Sequence, residues 1–194
     1  MRADARKNYD RLLSVAREVV AEYGADASLR DVARKAGVGL ATLYRHFPTR
    51  EALIEALLRS DVDELRARAA DLETSSTPGD ALVTWLRGTV AITHEYRGVT
   101  ALFLAALEDP ESALYESCVA LHDIGTRLLD RAHAAGQARA DIDGGDLFAL
   151  VGALAWLYDQ PSVKPRADHL FDVISSAVLP DGLRTDAQLQ RRLA

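Results

Sequence analysis

The chain has 194 residues, 48% of them hydrophobic, with one cysteine and a formal net charge of −6; that is enough apolar material for one large or two small domains, and it excludes a disulfide-stapled or a disordered chain. The longest uncharged apolar run, Leu147 to Tyr158, has 12 residues against the roughly 20 that a membrane-spanning helix needs, so no membrane segment is expected. The charge is uneven: residues 1–59 carry 11 Lys and Arg against 8 Asp and Glu, a net +3, and residues 60–194 carry 12 against 21, a net −9, so only the N-terminal end is a candidate for anion contact.

The opening "MRADARKNYD" lacks the apolar run of a secretion signal. With Cys118 as the lone thiol, this predicts a protein of the reducing cytoplasm. Apolar residues then recur at helical spacing, as in Leu12, Leu13, Ala16, Val19 and Val20, and no stretch alternates with period two, so the fold class is all-α. The predicted helices are 8–24, 29–36, 40–46, 50–73, 78–94, 98–108, 111–135, 145–159 and 165–179, about nine in all. None of the prolines interrupts a periodic segment; they fall between the segments or at the first helical position, where a residue without an N–H does no harm. Ser28, Thr49 and Thr77 are placed as N-caps, the last with Pro78 at the first helical position and Asp80 three residues after the cap. "TSSTPG" at 74–79 is the clearest linker, and the last 12 residues, "LRTDAQLQRRLA", suit a frayed helix or a tail.

The most informative stretch is 28–47. A short helix buries Leu29, Val32, Ala33 and Ala36; Gly37 permits the positive φ that ends it; a second short helix then buries Leu43 and Phe47. Two short helices around a glycine-containing turn fit a helix-turn-helix, whose second helix enters the major groove of DNA. With Leu43 and Phe47 inward, Leu40, Ala41, Thr42, Arg45 and His46 turn outward or sideways and Tyr44 lies at the flank. Thr42 offers a hydrogen bond or a methyl contact to a base edge, and Tyr44, His46 and Arg50 suit phosphate oxygens.

"LRDVARKAGVGLATLYRHFPTREALIEAL" resembles the DNA-binding domain of the TetR family of bacterial transcriptional regulators, through Val32-Ala33, Ala36-Gly37-Val38, Leu43-Tyr44-Arg45-His46-Phe47 and Arg50, the last an arginine where lysine is more frequent. The close match covers about residues 8–60; beyond it only length and helical layout agree. The resemblance implies an N-terminal three-helix DNA-binding domain at 1–50 and a C-terminal helical ligand-binding and dimerisation domain at 51–194, linked by helix 50–73. It implies phosphate contacts from Tyr44, His46 and Arg50, base-edge contacts from Leu40, Ala41 and Thr42, support from Arg30, and either a guanine or a backbone contact from Arg45. Arg2, Arg6 and Lys7 are placed as a basic arm along the DNA.

The middle helices carry Trp85, Phe103, Leu107, Tyr115, Cys118 and His122. Apolar area with a few polar tips suits a pocket for a largely apolar small molecule, and equally a core with satisfied polar groups. "DLFALVGALAWLYD" at 146–159 is apolar around most of its circumference, with small Ala149, Gly152, Ala153 and Ala155 permitting another helix to approach. By the resemblance, it and "HLFDVISSAVL" pair with their copies in a homodimer through Leu147, Val151, Leu154, Leu170, Ile174 and Val178. Two recognition helices held one DNA turn apart would read a palindromic operator on double-stranded DNA.

No cofactor or metal is expected: Cys118 and His122 make only two ligands, and "DIDGGD" at 141–146 lacks the glutamate and spacing of a calcium loop. "HEYRG" has no second histidine, and neither G-x-S-x-G nor a P-loop occurs, so no enzyme is expected. Three functions remain: a repressor released by a ligand, a constitutive DNA-binding regulator, and a helical small-molecule-binding protein with a vestigial helix-turn-helix.

Overall fold

The computed structural model describes residues 2–24, 27–75, 77–96 and 100–180, with the side chains of residues 2–7 and 101 left aside. The basic arm of Arg2, Arg6 and Lys7 and the tail at 183–194 therefore lie outside the described side chains. Among the described residues the chain forms nine α-helices and no strand: α1 (Arg2–Tyr23), α2 (Leu29–Ala36), α3 (Leu40–His46), α4 (Arg50–Glu73), α5 (Pro78–Glu95), α6 (Thr100–Ala106), α7 (Tyr115–Ala134), α8 (Gly144–Asp159) and α9 (Ala167–Val178), the last preceded by a 3-10 turn at Lys164–Arg166. None of them is long and apolar enough to cross a membrane.

The largest difference from expectation is at α1, which begins at Arg2 rather than at residue 8. Residues 2–7 contain neither Gly nor Pro but also no apolar residue larger than alanine, so a pattern of buried positions has nothing to register there. Between α6 and α7, residues 107–114 are turns. Ser28 and Thr49 cap as expected, accepting from Arg30 N at 3.2 Å and Ala52 N at 3.1 Å. Thr77 does not: its hydroxyl pairs with Ser75 Oγ at 3.2 Å, and the part-buried N–H of Gly79 in the first turn donates instead to Gln137 Oε1 at 2.7 Å. A side chain 58 residues away thus does the work of the cap.

One apolar cluster runs through α1, α2, α3 and α4 as far as Leu65, and continues into Phe103 of α6, Leu114 just before α7, Leu121 within α7, and Phe148 of α8. The second joins Ala69 of α4 to α5, α7, α8 and α9 around Trp85, Leu128 and Phe171. In this packing α5 and α7 come so close that a Cβ on Gly125 would stand 2.4 Å from Trp85 Cη2. Three helices, α4, α7 and α8, contribute to both clusters; the 24 residues of α4 span about 36 Å at 1.5 Å per residue.

Where α4 meets α7 a carboxylate is buried. Glu55 Oε1 accepts from Ser117 Oγ at 3.0 Å and from Arg59 at 3.1 Å, while Oε2 has no partner among the described residues. Burial pushes the Glu55 carboxyl above the usual carboxylate range, and the bonds from Ser117 and Arg59 pull it back without cancelling the rise. Because its folded pKa lies above the unfolded one, the native state holds this proton more firmly; the contribution to stability is full below the unfolded pKa and is lost as pH rises through the folded pKa. Glu55→Gln should therefore raise the melting temperature near neutral pH, and the gain should shrink toward about pH 4, where the unfolded carboxyl is itself protonated. Thermal denaturation across that pH range checks it; a constant difference would place its origin elsewhere.

Candidate nucleic-acid interface

The surface begins with the way α2 stops. Gly37 takes φ +67°, and the N–H groups of Gly37 and Val38 bond back to Arg34 O at 3.2 Å and Ala33 O at 3.0 Å. A side chain there would be strained whatever the space. Gly39, the N-cap of α3, is different: its φ of −67° suits any residue, and an added Cβ would meet only Thr42 Oγ1, at 3.9 Å. The protein itself does not require a glycine at 39, so its absent side chain is room left on the outside, at the end of α3 that would face a base edge.

Across α3 the split is clear. Leu43 is fully buried and Phe47, just past its end, is 2% exposed. Ala41, Thr42, Arg45 and His46 are exposed, Tyr44 is 47% exposed, and Leu40 is half-buried, partly packed on the core. Leu40 therefore presents less surface than the two residues after it. The His46 ring is steadied by Tyr9 of α1 at 5.8 Å, and Tyr9 also meets Phe47 at 5.6 Å. Arg30 is exposed near the start of α2. Arg50 is half-buried at the first position of α4, with Glu51 at 3.5 Å. Arg30 of α2, Tyr44, Arg45 and His46 of α3 and Arg50 of α4 thus come from three successive helices, and their guanidinium, imidazole and hydroxyl groups are of the kind that suits phosphate oxygens. Tyr9 is the residue that sequence reasoning missed; its signal is an aromatic ring one turn before Leu12 and Leu13 on the inward face of α1.

The six residues expected around a pocket do not share one cluster. Phe103 and Cys118 are buried with Leu107 against the first cluster, Trp85 lies in the second at 1% exposure, and Tyr115 and His122 are half-buried. Trp85 is accounted for by its packing on Gly125. Burial pushes the Cys118 thiol up to about 12, so it is a core residue rather than a thiolate ligand. His122 meets the edge of Phe148 at 6.1 Å and Asp123 at 3.4 Å. A cleft of about 530 Å³ between α1, α4 and α5 and one of about 290 Å³ between α1 and the end of α5 are lined by none of the six. In "DIDGGD", Asp143 and Asp146 form a capping box on α8, at 3.0 and 3.1 Å, and Asp141 pairs with Arg139.

Four of the six residues expected at a dimer interface hold the protomer together: Leu147, Val151, Leu154 and Val178 are buried in the second cluster. Leu170 and Ile174 are half-buried. The apolar surface left outside is a different stripe, with Ala149, Ala153 and Trp156 on α8 and Val173 and Ala177 on α9. Trp156 is 55% and Val173 50% exposed. Hydrophobicity alone selects the inward stripe of such a helix; only the packing reveals the outward one.

The geometry agrees with known proteins. Residues 12–57 match the family described as bacterial regulatory proteins, tetR family, and residues 77–185 match the C-terminal domain of SbtR-like transcriptional regulators. The TetR transcriptional regulator SCO0520 of Streptomyces coelicolor is 35% identical, with a TM-score of 0.61 over 89% of this chain and 98% of that one. The transcriptional repressor KstR2 of Rhodococcus jostii is 26% identical over 182 residues, 89% of each chain. The regulator UidR of Escherichia coli K12 is 30% identical over 110 residues, 56% of this chain and 55% of UidR, so that match spans about half the length of the relative.

Replacing Tyr44 or Arg50 by alanine should weaken binding to every duplex alike, and Arg50→Ala should reduce the salt slope of log K by about one. Thr42→Ala should instead redistribute preference among sequences. Anisotropy titrations against a panel of duplexes at several salt concentrations separate the two; a uniform loss from Thr42→Ala would remove it from base reading.

Proposed function

Because the chain belongs to the TetR family of bacterial transcriptional regulators, we propose that it is a homodimeric repressor that grips a palindromic operator with α3 and is released by a largely apolar small molecule bound in the C-terminal domain. The observation that carries the DNA-binding part is the face of α3: an exposed, small-residue reading surface beside open Gly39, ringed by Tyr44, His46 and Arg50. Leu40, Ala41 and Thr42 read; Tyr44, Arg45, His46 and Arg50, with Arg30, set the register on phosphates. Support for the dimer comes from the outward α8–α9 stripe, because a lone helix-turn-helix reads only a few base pairs and a second copy fixes the half-site spacing.

Release requires that the small molecule bind the protein's DNA-incompetent arrangement more tightly than the competent one. By linkage, DNA weakens its binding by the same factor, typically about 5- to 150-fold. A thermal-shift screen with apolar compounds, followed by anisotropy with an operator footprinted beside the coding region, should yield stabilising compounds that also weaken the operator complex. The dispersal of Trp85, Phe103 and Cys118 into two cores favours a second reading, a constitutive regulator whose C-terminal half only dimerises. Stabilising compounds that leave operator affinity unchanged would establish it over the first.

For the dimer, Trp156→Glu should give a monomer in sedimentation velocity with the helical content of the parent chain, since Trp156 lies outside the protomer core. An unshifted dimer would move the interface off this face.

A further inference from the structure

Arg17, Asp61 and Tyr96 lie 44 and 35 residues apart along the chain and meet where the helix-turn-helix unit joins the rest of the protein. Asp61 stands midway along α4. One of its oxygens accepts from the Tyr96 hydroxyl, and Arg17 Nη1 lies 3.0 and 3.1 Å from the two oxygens. Arg17 belongs to α1, between Ala16 and Val19, which pack in the DNA-binding core. Tyr96 is buried directly after α5, and its ring meets Phe103 of α6 edge-on at 6.2 Å. A single carboxylate on α4 thus joins the first helix of the DNA-binding unit to the end of α5.

The surroundings show why these bonds matter. The two clefts flank them: the larger is lined by Arg17, Asp61, Leu65, Ile92 and Glu95 among others, and the smaller by Arg17, Val20, Ala21, Glu95 and Tyr96. Close apolar packing therefore does not set the distance between α1 and α5 on this side. Directional bonds to one largely buried carboxylate do, and among the described residues Glu95, 3.9 Å from Arg17, reinforces them. A charged acceptor with two donors is among the strong hydrogen-bonding arrangements, and removing one donor leaves the carboxylate under-satisfied.

We propose that Arg17, Asp61 and Tyr96 form a latch that holds the helix-turn-helix at one angle to the C-terminal domain. The proposal rests on the reading of the protein as a dimeric DNA binder, for which the angle decides whether two α3 helices fit one duplex. Arg17 and Tyr96 are positioning residues, since neither needs to touch DNA.

The test uses the full-length protein and two probes: a palindromic duplex that it selects from a random pool, and a duplex carrying one half of that site. Tyr96→Phe, which keeps the ring on Phe103, should lower affinity for the palindrome about tenfold and leave the half-site within about twofold. It should also speed hydrogen exchange of the α1 amides at 12–20. Arg17→Lys, which keeps a donor and the charge, should preserve the palindrome preference better than Arg17→Gln. Equal losses on both duplexes, or no loss on either, would overturn the latch. Should the parent protein select no duplex, the DNA-binding reading itself fails, and hydrogen exchange then decides the latch alone: unaltered α1 exchange in Tyr96→Phe overturns it.

Discussion

A helix of seven residues does not hold itself together in water, so α3 keeps its shape only through the burial of Leu43 and Phe47. Losing an aromatic anchor of this kind costs about 3–5 kcal/mol, a large part of the stability of an ordinary domain. The same two residues fix rotation: four apart, they lie on one stripe, and Ala41, Thr42 and Arg45 are turned away from it. The exposed face of α3, which we propose reads the DNA, is thus a by-product of core packing. Small side chains there cost the core nothing, so its plainest residues are free to meet a base edge.

How that unit sits on the rest of the protein involves two kinds of force. The apolar cluster passes without a break from α1–α3 through α4 to Phe103, Leu121 and Phe148, and burial of this sort holds the parts together without fixing an angle. Direction comes from two acids of α4, one largely and one fully buried. Asp61 has two donors from outside α4, Arg17 of α1 and Tyr96 at the end of α5, whereas Glu55 keeps one oxygen unpartnered among the described residues and its carboxyl is raised. The well-satisfied group resists displacement, and the poorly satisfied one has least to lose from it.

The legible parts of the structure were those whose cause is local. Seven-residue α3, the glycine stop at 37 and the caps at Ser28 and Thr49 depend on residues within a few positions of one another, and sequence spacing exposes them. The start of α1 was hidden because residues 2–7 have helix-forming character but no apolar rhythm. The Gln137 cap on α5 and the Arg17–Asp61–Tyr96 meeting were hidden for another reason: their partners are brought together only by the tertiary fold. Charged residues on helices otherwise read as solvated faces. Trp85 had the composition of a pocket residue, and only its fit against Gly125 assigns it to the core.

The small residues of α8 carry the same lesson into mechanism. Read as one feature, they invite one neighbouring helix; in the fold they divide between two. Ala149 and Ala153 face outward beside Trp156, while Gly152 and Ala155 are buried. A Cβ on Gly152 would stand 3.1 Å from Thr100 Cγ2, so this glycine lets α6 lie close on α8 rather than admitting a second protomer. The two faces of α8 therefore belong to different contacts, α6 within and the exposed stripe without. Helix α6 touches both parts of the protein: its Phe103 meets the Tyr96 ring, and its Thr100 lies against Gly152, on the helix whose outer face carries Trp156. A change in the place of α6 would therefore have to be accommodated at both contacts, because packed helices leave no slack between them.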